Sequence, residues 1–230
     1  MKILTAPIFA LLLSTVFVSC DNGSGDPEAV VSDAKEVTDG SKTGIAYQID
    51  TNSSLIKWEG HKTIDPTQRR HEGIVTLSSG TLIVDNATVN GGSFKIDMTS
   101  ISLSDQDKKN LPEDKQGNLV GHLKSDEFFS TEKYPTAEFE ITSSKPLDSA
   151  GYNTFVYGNL TIRDKKKNIG FPAKLNVNGD KATADARVII DRSDFDVKYN
   201  SSNFVKNLAA DDIISNDITM DIHLEATKAK

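Results

Sequence analysis

The sequence predicts an all-β protein, built as one extended antiparallel β-barrel of about eight strands with a short helix near one end. Three observations predict it. From Ile45 onward, apolar and polar residues alternate with a period of two rather than 3.6. Such alternation gives each strand one wet and one dry face, as in antiparallel sheets. Second, turn formers separate the runs, and Asn178-Gly179 between two alternating runs is a strong hairpin signal. Third, that many strands in one unit must close into a barrel or split into a sandwich to hide their edges.

The runs follow in order. Short strands are expected at 55–58, 74–77, 82–84 and 155–162. Phe94, Ile96 and Met98 share one face of a run, and Ala137, Phe139 and Ile141 share a face of the next. Ile169, Phe171, Ala173, Leu175 and Val177 alternate with polar or small residues, as do Ala182, Ala184, Ala186, Val188 and Ile190. Ile218, Met220, Ile222, Leu224 and Ala226 form the last such row. Turns are expected at 78–80 and 90–92, where glycines cluster. Residues 105–113 read as a polar loop. Residues 116–129 read as a short helix, with Leu119, Val120, Leu123 and Phe128 near helical spacing. Gly121 weakens that helix by roughly 1 kcal/mol relative to alanine.

Before this domain lies an address segment. Met1-Lys2 is basic, and residues 3–18 are almost wholly apolar, the length of a signal-peptide core. Ser19-Cys20 resembles the lipobox of bacterial lipoproteins, in which the cysteine is acylated and becomes the mature N-terminus. The expected organisation is a signal peptide at 1–19, a flexible tether at 20–44 and the barrel at 45–230. Asp, Gly, Ser, Glu, Lys and Thr make up most of the tether, which is too polar to offset its ordering entropy. Cys20 is then the lipid anchor, and the expected location is the cell envelope, held to a membrane.

Composition excludes other classes. The net charge of −7 repels phosphate backbones, so nucleic acid is not an expected partner. The one cysteine rules out an intramolecular disulfide. His61, His71, His122 and His223 show no zinc spacing, and no nucleophile elbow, P-loop or dinucleotide fingerprint occurs. Asp105, Asp107, Asn110 and Glu113 miss calcium-loop spacing, and Asp191, Asp194 and Asp196 read as turn residues. No catalytic residue, metal or cofactor is therefore expected, and a metallohydrolase using His61, His71 or His122 ranks last. Arg69-Arg70 and Arg163 with Lys165-Lys166-Lys167 fall at hairpin tips. If these tips share one mouth, Arg69, Arg70, Arg163 and Lys165 could receive a phosphate or carboxylate head group. Otherwise they keep strand edges soluble.

Four segments together resemble the YceI-like domain family. They are His71-Glu72-Gly73; the stretch Gly121-His122-Leu123-Lys124-Ser125-Asp126-Glu127-Phe128-Phe129 with Lys133-Tyr134-Pro135-Thr136-Ala137-Glu138-Phe139; Gly158-Asn159-Leu160-Thr161-Ile162; and Asp191-Arg192-Ser193-Asp194-Phe195. The resemblance implies a lipocalin-like barrel with a helical segment near its opening. It also implies an elongated cavity that binds a polyisoprenoid or another long amphiphile, and a homodimer. The residues agree on their own terms, since small inward positions such as Ala173, Ala182, Ala184 and Ala186 leave volume. The cavity candidates are Trp58, Phe94, Ile96, Met98, Phe128, Phe139, Leu160 and Phe171. The competing expectation is a packed barrel, its alanines filled by facing aromatic rings. Such a barrel would act as a protein-interaction module through Lys165–Lys167 and Asp211-Asp212.

Overall fold

The structure, a computed structural model, describes residues 28–37, 43–67, 69–149 and 151–230. Cys20, the signal stretch and residues 20–27 and 38–42 of the tether lie outside the described residues. The elements are β1 (Val30–Asp33), β2 (Ile45–Ile49), β3 (Leu55–Lys62), β4 (Arg70–Asp85), β5 (Thr88–Leu103), α1 (Asp105–Asn110), α2 (Glu113–Lys124), β6 (Thr136–Ser149), β7 (Tyr152–Ile162), β8 (Lys165–Asn178), β9 (Lys181–Asp191) and β10 (Ile214–Lys228).

From β3 to β10 each strand pairs antiparallel with its successor, and β10 pairs back onto β3. The sheet thus closes into an antiparallel barrel of eight strands. β2 and β3 share one position in the ring. β2 pairs with β4 and β10 at one end, and β3 pairs with the same two strands further along. Between them, the Ser54 amide donates to the Asp50 carbonyl at 3.0 Å. Strand direction sorts the connections into two ends. The helices, the β3–β4 and β7–β8 turns and residues 192–213 lie at one end, called here the helical end. The β4–β5, β6–β7 and β8–β9 turns lie at the other.

Several local expectations are corrected. Residues 78–80 and 90–92 are not turns but lie inside the long strands β4 and β5. Their glycines mark irregularities and close approaches instead. A Cβ at Gly80 would sit 2.8 Å from Ile49 Cγ1 and 2.9 Å from Phe94 Cδ1. The true β4–β5 turn is Asn86-Ala87, both left-handed with φ of 47° and 62°, which satisfies a two-residue hairpin without glycine. The polar stretch expected as a loop holds α1. Ser104 starts it, its hydroxyl accepting from the Asp107 amide at 3.1 Å, and Asp105 and Asp107 occupy the first turn. α2 begins and ends earlier than expected, so Phe128 and Phe129 lie in the loop beyond it. The expected Asn178-Gly179 turn does join β8 to β9, with Gly179 at φ 59°.

The larger correction concerns the tether. Within 20–44, residues 30–33 form β1, paired antiparallel with β8 from Val30–Gly170 to Asp33–Lys167. Past them, the Lys35 amide donates to Asn159 Oδ1 at 3.0 Å, and Asn159 Nδ2 donates back to the Lys35 carbonyl at 2.6 Å. A polar composition does not forbid order when a neighbouring sheet offers unpaired backbone groups.

Alanine holds a left-handed φ at a steric cost that glycine avoids. Ala87→Gly is expected to stabilise the fold by about 0.5–1 kcal/mol. Urea unfolding followed by circular dichroism measures it.

Candidate functional site: an internal apolar cavity

Inward residues of every barrel strand, with the segment after α2, enclose a cavity of about 210 Å³ whose surface is almost wholly apolar. Its wall runs along β9 from Ala184 to Ile190, roughly 20 Å at about 3.3 Å per strand residue. All eight cavity candidates line it: Trp58, Phe94, Ile96, Met98, Phe128, Phe139, Leu160 and Phe171. The alternation explains their convergence, since one face of each strand looks inward. Phe139 links two rings, lying 6.3 Å from Phe94 and 5.6 Å from Phe171 between centroids. On the opposite side Ala184 and Ala186 line the wall, so no large side chain there fills the space.

Motif glycines make room for two of these rings. A Cβ at Gly73 would fall 1.9 Å from the Ser102 carbonyl oxygen and 2.5 Å from the Trp58 ring. A Cβ at Gly158 would fall 2.3 Å from Phe139 Cζ. Both contacts are closer than any Cβ tolerates.

The helical end is roofed. Leu123 of α2 and Phe128 and Phe129 reach down into the cavity. The roof loop is tied to α2 by the amides of Phe129, Ser130 and Thr131, which donate to the carbonyls of Leu123, Ser125 and Lys124. The Ser130 hydroxyl donates to Asp126. Beneath the roof sits Arg192, only 1% exposed. Its guanidinium donates to the carbonyls of Val197 (2.7 Å), Ser215 (2.9 Å) and Ile214 (3.1 Å), with its Cζ 5.3 Å from the centroid of the Phe128 ring. Burial pulls its pKa down to about 10, so it keeps its charge at neutral pH. Asp191 starts the 3-10 turn that positions it, accepting from the Ser193 amide at 2.7 Å. Residues 47–226 match the YceI-like domain.

The chain belongs to the YceI-like domain family. Solved structures share its fold, two of which follow. One is BcnA of Burkholderia cenocepacia, at 22% identity and a TM-score of 0.59, covering 78% of this chain and 99% of that one. The other is a polyisoprenoid-binding domain from Saccharophagus degradans implicated in plant cell wall breakdown, at 16% identity and a TM-score of 0.56, covering 80% and 99%. No curated protein sequence matches the chain.

In this YceI-like barrel the four head-group candidates stand at the helical end, and each has an internal partner. Arg69 faces Asp211 at 3.6 Å and Arg70 faces Glu59 at 3.2 Å. Arg163 donates to the carbonyls of Phe128 (3.2 Å) and Asp196 (3.1 Å), bolting the roof to the β7–β8 turn. Lys165 lies 3.4 Å from Asp196 and 3.6 Å from Asp164. None of the four lines the cavity. His61 stands opposite Arg70 and His71 opposite Gly60, so the two imidazoles point to opposite faces of the β3–β4 hairpin. His71 instead contacts Asp107 of α1 at 3.0 Å.

Sequence reasoning left two parts of the site unassigned. The β9–β10 wall, with Val188, Ile190, Met220 and Ile222, was visible as alternation but not as cavity lining. Arg192 stood only as one letter of a motif, because its role depends on carbonyls 5 to 23 residues away.

Arg192→Ala is expected to destabilise the fold by about 3 kcal/mol or more, because it strands three carbonyls in the interior. Denaturant unfolding tests it, and an unchanged midpoint would contradict the clasp. On the outer wall, His223 Nδ1 lies 2.6 Å from Asp185. That hydrogen bond, with help from Glu225, holds the imidazole pKa above its ordinary 6.5. The stabilisation from His223 is therefore full below the ordinary value and fades as pH rises through the higher folded value. The urea midpoint difference between the wild type and His223→Gln should shrink from acid to alkaline pH.

Proposed function

We propose that the barrel binds a long apolar lipid, such as a polyisoprenoid or a fatty-acid-like amphiphile, for storage or transport, without covalent chemistry. The observation that carries this reading is the elongated cavity with almost no polar surface. Such a wall offers an extended hydrocarbon only area and shape. Each 100 Å² of ligand apolar surface buried contributes roughly 2.5 kcal/mol before ordering costs. The structural likeness to a polyisoprenoid-binding domain supports the ligand class. A head group would sit outside the apolar lumen, because the cations at the helical end are engaged within the protein. The Ser19-Cys20 junction supports acylation at Cys20 and an envelope location on a membrane. The open interior favours this reading over a packed interaction module.

Native mass spectrometry of protein purified without detergent should show an added mass in the lipid range. A clean apo mass, with no uptake of an added prenol, would overturn the reading. Ala186→Phe places a ring in the lumen opposite Ala173. It should weaken uptake of diphenylhexatriene, a rod-shaped apolar fluorophore, by at least about tenfold while the β-sheet circular dichroism is kept.

A further inference from the structure

The β8–β9 pairing covers only part of the two strands. Their ladder runs from Asn178–Lys181 to Ala173–Ala186 and stops there. Towards the helical end the two strands part, and residues 28–35 occupy the gap. β1 pairs with β8 along Val30–Gly170 to Asp33–Lys167. Among the described residues it meets β9 in a bridge at one position, Glu28 beside Ile189, where the Ala29 amide donates to the Ile189 carbonyl at 3.0 Å. Directly behind the gap stand Ile169 and Phe171 of β8 and Val188 and Ile190 of β9, all cavity-lining.

This inserted strand is weakly buried. Val30 is 57% exposed and Val31 36% exposed, and of its flanking residues Ala29 alone joins the core. Several of its ties lie on the outer surface, among them Asp33 with Lys167 at 3.2 Å, the Lys35–Asn159 pair, and the Lys35 ammonium 5.2 Å from the centroid of the Tyr157 ring. By contrast the helical end is bolted by Arg163 and Arg192, and at the other end the Tyr47 hydroxyl, on a 1% exposed residue, donates to the Gly179 carbonyl at 3.0 Å. The strand also lies outside the span that matches the family, 47–226.

We infer that residues 28–35 form a displaceable strand closing a lateral portal between β8 and β9, and that the apolar ligand passes through this portal when the β1–β9 edge opens. The inference rests on the cavity being a lipid site and adds its passage. A segment with few buried apolar contacts opens at lower free energy than the core strands around it. Opening there exposes Phe171 and Val188 as the lips of a slot, with no need to disturb either end.

The test is a reversible lock. Glu28→Cys with Ile189→Cys, in a Cys20→Ser background so that the pair holds the only thiols, places cysteines at the bridge. Uptake and release of diphenylhexatriene are followed by fluorescence, oxidised and then reduced. The expected result is at least a tenfold slowing of both rates in the oxidised form, with the amount bound at equilibrium unchanged and the rates restored by reductant. Equal rates in the two forms would overturn the portal while leaving the cavity reading intact. Failure of the reduced protein to take up probe would overturn the cavity reading, and the portal with it. Hydrogen exchange gives a second check, because the β1 amides should exchange at least about tenfold faster than β8 amides facing β9. Equal protection would also overturn the portal.

Discussion

Ring closure of the hydrogen-bonded sheet is the constraint on which the rest depends. A strand edge left open presents unpaired amides and carbonyls, and a barrel removes them by pairing its last strand with its first. Here β10 does this alone, holding β9 on one side and β3 followed by β2 on the other. Once the ring closes, alternation decides which residues face inward, and eight strands leave a lumen just wide enough for side chains or one small ligand. Phenylalanines on β5, β6 and β8 narrow that lumen, while alanines on β9 keep it open. The cavity is thus a consequence of where large and small residues fall around a closed sheet.

An almost wholly apolar lumen separates recognition from charge. For the apolar ligand proposed, affinity inside would come from area and shape, and discrimination would rest on length and width. Charge is kept to the exterior and the helical end, where it acts structurally. Arg192 is the extreme case, a buried cation with no carboxylate partner among its hydrogen bonds, satisfied by three carbonyls and an aromatic face. A carboxylate there would make a buried ion pair, often no better than neutral for stability. Carbonyl acceptors let one side chain join the 3-10 turn to the start of β10.

Much of this architecture was legible because period two is a direct reading of inward and outward positions. The rows through Phe94, Phe139, Leu160 and Phe171 converge on the cavity as alternation demands. Trp58 stood at the end of an expected strand and Phe128 in the motif segment. Glycines misled, since Gly80 and Gly92 suggested turns but serve close packing within long strands, whereas the real turn uses Asn86-Ala87. The short helix α1 was hidden in a polar stretch whose only signals were its Ser104 cap and the acids of its first turn. Least legible was β1. The β-branched pair Val30-Val31 is too short to mark a strand by itself, and its order comes from a gap between strands more than 130 residues away.

That gap changes the geometry of the whole molecule if Cys20 carries the anchor proposed for it. A free tether from 20 to 44 could hold the barrel far from a membrane and at any orientation. With Glu28 seated against Ile189, the covalent reach from Cys20 to the barrel falls to eight residues, at most about 28 Å. The same attachment brings the β8–β9 seam, rather than either end, to the side from which the chain departs toward the bilayer. An apolar ligand leaving through that seam would cross little water. The strand that closes the wall and the leash that sets its distance are then one continuous segment, so tension or slack in the leash acts on the seam itself.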